Sequence, residues 1–184
     1  MELSTLLEKD TLTVAKQLLG WELCYQSNKG PVGGIIAETE AYTEDDPACH
    51  AFNGNKTKRN APMFNSAGHL YIYFIYGMYH CINIVTEPKG TGAAVLIREI
   101  IPTIGIDIIK TNRPKINKES DLLNGPGKLI LGLDIPATLN NHQLLVPNGP
   151  IQLYPPKKQI NHTEHPRIGL SKATDRLWRF KIIT

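Results

Sequence analysis

Glu38, Glu40 and Tyr42 occupy alternate positions in an apolar segment, and residues of these types could do chemistry together. Alternation of apolar and polar residues over 34–42 predicts a β-strand, which puts the three side chains on one face. Cα atoms two residues apart on a strand are separated by about 6.6 Å. A carboxylate in such a partly apolar setting can activate a water molecule as a general base. The alternative is a solvent-facing strand edge whose acidic residues have no function.

Arg98 ends a very apolar run that begins at Ala93. An arginine in such a place is usually paired with an acidic group or a phosphate. We expect Glu38 or Glu40 to be its partner. A purely structural salt bridge would give the same pattern.

A hairpin rich in tyrosine is predicted between residues 70 and 85. Strand candidates cover 70–75 and 80–85, and Gly77 permits the tight reversal between them. Tyr71 and Tyr73 share one face of the first strand, where aromatic rings can stack on nucleic-acid bases. Alternatively, these tyrosines are ordinary core and rim residues.

Tyr76 and Met78 flank Gly77 and are predicted to lie at the tip of the hairpin. A bulky side chain at an exposed tip is badly placed for core packing. It is well placed as a wedge, because proteins that bend DNA insert such side chains between base steps.

The distribution of charge is the broadest hint of a partner. The net charge is +3, but residues 1–50 hold 3 basic and 9 acidic side chains, whereas residues 51–184 hold 17 basic and 8 acidic. A basic face over most of the chain favours a polyanion such as nucleic acid. The basic residues that could contact phosphates are Lys56, Lys58, Arg59, Arg167, Lys172, Arg176, Arg179 and Lys181.

The remaining patterns exclude several classes of protein. Three cysteines without a C-x-x-C pair argue against a disulfide framework and a cysteine zinc site. His162 and His165 lack a nearby third ligand, so no metal site is expected. No charged side chain lies between Arg59 and Glu87, but polar residues interrupt that stretch, so no membrane span is expected. The first residues carry no leader pattern, which favours a reduced, cytoplasmic protein.

The predicted elements fit a single α+β domain over residues 1–184. Asp10 is expected to cap a helix over 11–19. Strands are predicted at 21–25, 34–42, 70–75, 80–85, 93–99, 144–146, 151–154 and 177–183, with a helix opening at Pro102 and two short helices around 124–127. The stretch 43–68 is expected to be a long ordered loop, which is usually functional. We expect a curved, mostly antiparallel sheet with short helices around it and a protruding hairpin.

Several segments together resemble the 3-methyladenine (alkyladenine) DNA glycosylase family, the type that also excises hypoxanthine. They are Ala37–Tyr42, Asp46–His50, Arg59–Phe64, Gly68–Tyr79, Cys81–Ile84, Ala93–Arg98, Gly125–Leu129 and Arg167–Gly169, in the family's order. The combination of the tyrosine hairpin with Glu40-Ala41-Tyr42 is the most specific part.

The resemblance implies a role for each of these residues. Glu40 resembles the general base, with Arg98 and the carbonyl of Ile168 as groups that hold the attacking water. Tyr42, His50 and Tyr73 match the side chains that sandwich the extruded base, and the backbone N–H of His50 matches a donor to its edge. Asn83 matches a residue that clashes with the 2-amino group of guanine. Tyr76, with Met78 beside it, matches the residue that fills the gap in the duplex.

The implied activity is a monofunctional DNA glycosylase that hydrolyses the N-glycosidic bond of alkylated or deaminated purines and begins base excision repair. Duplex DNA with damaged purines is the expected partner, no cofactor is expected, and we expect a monomer associated with the nucleoid. Two other functions stay open from the residues alone. One is a nucleic-acid-binding module without catalysis. The other is a small-sugar or nucleoside hydrolase that uses Glu38 and Glu40.

Overall fold

The computed structural model describes residues 2–75, 77–158 and 160–183. The strands in these residues are β1 (Glu22–Ser27), β2 (Gly30–Tyr42), β3 (Leu70–Ile75), β4 (Tyr79–Val85), β5 (Ala94–Ile104), β6 (Ile151–Tyr154), β7 (His162–His165) and β8 (Arg179–Ile182). Strand β2 is central, because it pairs with three of the others. One edge of β2 pairs with β5, and the other pairs first with β1 and then with β8.

All of these pairings are antiparallel. The sheet runs in the order β3-β4-β5-β2-β1-β6, with β8 added beside the second half of β2 and β7 beside β8. Register shifts interrupt the β2–β5 pairing at three places, and such bulges bend and twist a sheet. The prediction of an α+β fold with a curved antiparallel sheet is confirmed.

In the described residues, four short helices pack around the sheet. They are α1 (Leu3–Leu7), α2 (Thr11–Gln17), α3 (Ile106–Asn112) and α4 (Pro126–Leu133). Asp10 caps α2 as predicted, since its side chain accepts a 2.9 Å hydrogen bond from the backbone N–H of Thr13. Short 3₁₀ turns (Phe52–Gly54, Ala61–Phe64, Glu119–Asp121 and Ala137–Leu139) punctuate the loops. In the parts of the chain that are described, no helix is long and apolar enough to cross a membrane.

The main core lies between the sheet and these helices. Its fully buried members come from every layer, including Leu18 of the α2 end, Ile36 of β2, Leu129 of α4 and Phe180 of β8. A second, smaller cluster contains Cys49, Phe64, Tyr71 and neighbours, and it supports the long loop that follows β2. Packing against these two clusters therefore fixes the position of the long loop relative to β2.

The prediction of a helix that opens at Pro102 is wrong. β5 continues to Ile104, and α3 begins only after Gly105, whose φ of +64° turns the chain. Pro102 fits in the strand because Gly34 lies opposite: a Cβ there would come within 2.9 Å of the Pro102 Cα. The missing side chain lets the two backbones approach closely.

The predicted strand at 144–146 is also wrong. The residue before that segment, Gln143, makes an isolated β-bridge with His69, and the chain then turns away. Pro147 offers no N–H for a ladder and Asn148 has a φ of +57°, so the chain cannot continue as a paired strand. Helix α1 and strand β7 were not predicted; β7 contains both histidines considered above as metal ligands.

Candidate active site

The carboxylate of Glu40 on β2 has three polar partners, and its side chain has no exposed surface. The Tyr42 hydroxyl donates a 2.7 Å hydrogen bond to Oε2, and the backbone N–H of Ile168 donates a 2.9 Å hydrogen bond to Oε1. Arg98 Nη1 lies 3.2 Å from the same Oε1. Three separate segments therefore converge on one buried carboxylate, which is the condition under which a buried charge is tolerated.

Arg98 reaches this carboxylate from a bulge in β5. Glu38 pairs with Glu99 and Thr39 pairs with Ile97, so Arg98 falls between the two pairs and has no residue opposite it in β2. Its Nε lies 3.4 Å from Glu38 Oε1. The predicted pairing of Arg98 with Glu38 or Glu40 is confirmed for both residues.

Glu38 is the centre of a cluster of charges beside Glu40. Arg179 Nη1 donates a 2.8 Å hydrogen bond to Glu38 Oε1, and Lys181 Nζ lies 3.4 Å from Oε2. Burial alone would raise the pKa of Glu38, but the hydrogen bond from Arg179 and the charges of Lys181 and Arg98 outweigh it. Its pKa is therefore lowered, and the side chain is an anion at neutral pH.

A cavity of about 630 Å³ opens above Glu40 and Arg98. Its walls carry the aromatic side chains of Tyr42, Tyr71 and Tyr73. The Tyr71 and Tyr73 rings stack with centroids 5.1 Å apart and an interplanar angle of 29°. Period-two alternation places Glu40 with Tyr42 on one face of β2 and Tyr71 with Tyr73 on one face of β3, and these faces form the aromatic cleft beside the buried carboxylate.

His50 comes from the long loop after β2 and meets the same aromatic group. Its ring lies edge-on to Tyr73 at 4.8 Å between centroids, and its Nδ1 is 2.9 Å from the Tyr71 hydroxyl oxygen. Desolvation, together with the positive charge of Arg59, lowers the pKa of His50, so the imidazole is neutral at neutral pH. A neutral imidazole leaves the cavity without a fixed positive charge on this wall.

Asn60 gives the loop that carries His50 its shape. Its side-chain amide donates to the carbonyls of His50 and Asn55, at 2.7 and 2.8 Å. Its Oδ1 accepts from the backbone N–H of Thr57 at 2.6 Å. A buried side chain that satisfies this many polar groups rigidifies a loop.

Tyr42 is supported from behind by a buried ion pair. The Arg167 guanidinium lies 4.7 Å from the centre of the Tyr42 ring and makes a two-pronged salt bridge with Asp46. Arg167 also donates a 2.9 Å hydrogen bond to the carbonyl of Ala41, and the side chains of Arg167 and Asp46 are both fully buried. The pair ties the loop around Ile168 to the end of β2.

Asn83 lies on β4 and lines the cavity with its side chain fixed. Its Nδ2 donates a 2.9 Å hydrogen bond to the carbonyl of Tyr71, which is its cross-strand neighbour. On the other side, Asn83 pairs in register with Leu96 of β5. The wall at this point is therefore rigid.

The tip of the β3–β4 hairpin extends beyond the cavity, and Met78 has 63 % of its surface exposed. Gly77 has a φ of +67° and open space where a Cβ would lie, which fits a tight reversal. The second residue predicted at the tip, Tyr76, lies outside the described residues. Ile75 and Tyr79, the last strand pair before the turn, line the cavity.

The expectation of phosphate contacts is wrong for Arg167, because its charge is buried against Asp46. Arg179 and Lys181 direct their charges to Glu38, and Lys181 also contacts Glu99 at 2.6 Å. Lys58 and Arg59 instead line a groove on the outside of the hairpin.

Sequence reasoning brought together Glu40, Arg98, Tyr42, His50, Tyr73, Asn83 and Ile168, and the structure places all seven around one cavity. It missed the supporting roles of Asp46, Asn60 and Arg167. The only available signal was that all three lie within the segments that carry the resemblance. For Ile168 the observed contact with Glu40 is through the N–H, whereas the prediction concerned its carbonyl. Among the residues described, no cluster of three His, Cys, Asp or Glu side chains is arranged to hold a metal ion.

Comparison with known proteins agrees with this arrangement. Residues 5–184 match the protein family described as Methylpurine-DNA glycosylase (MPG). A protein of Carboxydothermus hydrogenoformans, provisionally named a 3-methyladenine DNA glycosylase, is 47% identical over 94% of this chain and 90% of its own length. Relatives with the same provisional name come from Methanoculleus marisnigri, 43% identical over 94% of this chain and 90% of their own, and Francisella tularensis, 43% identical over 98% and 94%.

These matches span nearly the whole chain, and the segments that build the cavity lie within them. They exclude a nucleic-acid-binding module without catalysis, since the family is one of enzymes. They also make DNA, rather than a free nucleoside or small sugar, the expected substrate. The chain belongs to the methylpurine-DNA glycosylase family and is a DNA glycosylase.

Proposed function

We propose that this protein removes alkylated or deaminated purines from duplex DNA by hydrolysis of the N-glycosidic bond, with a water molecule activated by Glu40. The observation that carries the proposal is the position of the Glu40 carboxylate. It is fully buried, held by three groups, and set beneath a cavity with aromatic walls. The substrates we propose are of the 3-methyladenine, 7-methylguanine and hypoxanthine type.

Base extrusion is the first step of the proposed reaction. An enzyme that acts on a base in a duplex must take it out of the stack, at a cost of a few kcal/mol. Tyr42, His50 and Tyr73 would enclose the extruded purine, with the N–H of His50 donating to its edge. Met78 at the hairpin tip, together with Tyr76, would fill the gap that the purine leaves.

The cavity favours damaged purines for two physical reasons. A purine alkylated at N3 or N7 is cationic and gains about 0.5–2 kcal/mol from each aromatic face that it contacts. Such a base is also a good leaving group. Neutral hypoxanthine would depend more on hydrogen bonds to its edge. Asn83 would disfavour guanine by contact with its 2-amino group, because its side chain is fixed to Tyr71. 7-Methylguanine carries the same amino group, and its positive charge and better leaving-group character would outweigh that contact.

Glu40 would accept a proton from water as that water attacks C1′ of the sugar, where positive charge develops. Arg98, and the carbonyl of Ile168, would hold the water. The products are the free base and an abasic site in an uncut strand. Schiff-base chemistry would need an amine at C1′, and Lys128, the lysine lining the described part of the cavity, has its Nζ hydrogen-bonded to Asn124 at 2.6 Å.

We also infer that the enzyme works as a monomer on DNA in a reducing, cytoplasmic setting at the nucleoid, where it would begin base excision repair. All three of its cysteines are buried and unpaired. Buried thiols of this kind are typical of proteins that stay reduced.

The decisive experiment compares the wild type with Glu40→Gln on methylated duplex DNA. The amide keeps the shape of the carboxylate but cannot accept the proton. We expect base release to fall by about 10³-fold, within the range for loss of a general base, while binding to damaged duplex persists. Undiminished release of methylpurines would refute the proposal.

A further inference from the structure

We propose that Glu38 is a positioning residue for the reaction, which sets the orientation of Arg98 against Glu40. The inference rests on the proposed function of Glu40. Glu38 does not line the cavity in the described part of the chain, so it would act through Arg98 rather than on the substrate.

The geometry of Arg98 shows why it needs a second anchor. Its guanidinium meets Glu40 Oε1 at 3.2 Å and Glu38 Oε1 at 3.4 Å. Within the described residues, its buried Nε has no hydrogen-bond acceptor. Arg98 is therefore held between the two carboxylates by ion pairing. With Glu38 neutral, one of the two attractions that fix the guanidinium would be lost.

Glu38 is itself firmly held. Arg179 Nη1 donates to Oε1 at 2.8 Å, and Lys181 Nζ approaches Oε2 at 3.4 Å while contacting Glu99 at 2.6 Å. The β2–β5 pairing shifts register on both sides of the Glu38–Glu99 pair, so the backbone is irregular where the Glu38 side chain leaves the strand. Because these partners hold the Glu38 carboxylate in place, that carboxylate can in turn hold the Arg98 guanidinium in one orientation.

The charges of the cluster balance only when Glu38 is included. Three cations (Arg98, Arg179 and Lys181) face three carboxylates (Glu38, Glu40 and Glu99). If Glu38 were neutral, the three cations would share two carboxylates, and Arg98 would no longer be drawn away from Glu40. Its guanidinium would then rotate towards Glu40 and leave the orientation in which it can hold a water molecule.

The test measures single-turnover base release from methylated duplex DNA with enzyme in excess. For Glu38→Gln we expect the maximal rate to fall by about tenfold, because a misplaced group near the reacting atoms is costly. The enzyme concentration for half-maximal rate should change by less than about twofold. The matched control is Glu99→Gln, which removes a carboxylate of the same cluster that does not contact Arg98, and its rate should stay within about twofold of wild type.

A second measurement separates positioning from a general structural effect. In an Arg98→Met background, Glu38→Gln should lower the rate by less than about twofold more, because its route to Glu40 is already gone. A tenfold further loss in that background would overturn the proposal. So would equal losses in Glu38→Gln and Glu99→Gln.

Far-ultraviolet circular dichroism and thermal melting establish that each variant is folded. Should Glu38→Gln not fold, Glu38→Asp keeps the charge and withdraws it from Arg98, and the same split between rate and affinity is expected. A normal rate in a folded Glu38→Asp or Glu38→Gln variant, with Glu40→Gln inactive, would refute the role of Glu38 alone. An active Glu40→Gln would instead refute the proposed function.

Discussion

The Tyr42 hydroxyl donates a 2.7 Å hydrogen bond to Oε2 of Glu40, two residues earlier on the same strand. Burial raises the pKa of Tyr42, and the negative charge of Glu40 raises it further, so the phenol remains a donor at all working pH values. One side chain therefore combines an aromatic surface on the cavity with a hydrogen bond to the proposed base.

Tyr42→Phe separates these two roles, because it removes the hydroxyl and keeps the ring. A hydrogen bond to a charged group contributes about 1.5–3 kcal/mol, and part of it orients the carboxylate. We expect single-turnover base release to slow by about tenfold, with damaged-duplex affinity unchanged. Tyr42→Ala is the comparison: it should weaken binding as well. Equal affinity losses in the two variants would contradict the assignment.

The buried Asp46–Arg167 pair predicts strong and non-additive effects on stability. Asp46→Asn leaves the Arg167 charge buried without its partner, which costs about 3–5 kcal/mol of unfolding free energy. The double variant Asp46→Leu/Arg167→Met removes both charges, so it should be more stable than Asp46→Asn alone. Urea denaturation measures both. A double variant no more stable than Asp46→Asn would show that the two residues do not act as a pair.

The hairpin tip predicts a difference between duplex and single-stranded substrates. Tyr76→Ala and Met78→Ala should weaken base extrusion from a duplex, because a wedge fills the gap in the stack. A single strand has no such gap to fill. We therefore expect the release rate to fall several-fold more on duplex than on single-stranded DNA carrying the same lesion. Matching losses on the two substrates would argue against a wedge.

The lowered pKa of Glu38 predicts that the unfolding free energy of the protein decreases in acid. Its pKa lies below the ordinary value of 4.5, so its ion pairs stabilise the protein above that pH and lose their effect as the pH falls through the lowered pKa. Glu38→Gln weakens the hydrogen bond from Arg179 to a charged carboxylate, so the unfolding free energy of wild type should exceed that of the variant by roughly 2 kcal/mol at pH 7. The gap should narrow below about pH 4.5. Denaturant titrations of both proteins from pH 7 to 3 would measure this difference. A difference in unfolding free energy that stays constant with pH would show that the ion pairs of Glu38 do not cause the acid sensitivity.

The side chains that share a face were predictable from alternation in the sequence. Period two places Glu38 and Glu40 together on β2 and Tyr71 and Tyr73 together on β3. Arg98 was expected to seek an acidic partner because it ends an apolar strand. Both predictions follow from neighbouring residues alone, because side chains alternate between the two faces of any β-strand in a sheet.

What could not be predicted depends on contacts between distant segments. Nothing local indicates that Arg98 occupies a bulge or that Pro102 fits opposite Gly34, since both follow from the pairing of β2 with β5. Likewise, nothing in the sequence around Arg167 distinguishes it from a surface arginine, because its buried partner Asp46 is distant in the chain. The roles of the site residues were expected from the resemblance, and they remain proposals for the experiments above.

The pairing of β8 with the Glu38–Glu40 part of β2 has a consequence for biosynthesis. Arg179 lies 141 positions after Glu38, so a ribosome exposes the acidic strand long before Arg179 and Lys181 emerge. Until then Glu38 has neither Arg179 nor Lys181 beside it, and the Ile168 N–H is absent for most of that time. A nascent chain therefore cannot complete this charge cluster until its last residues have been made.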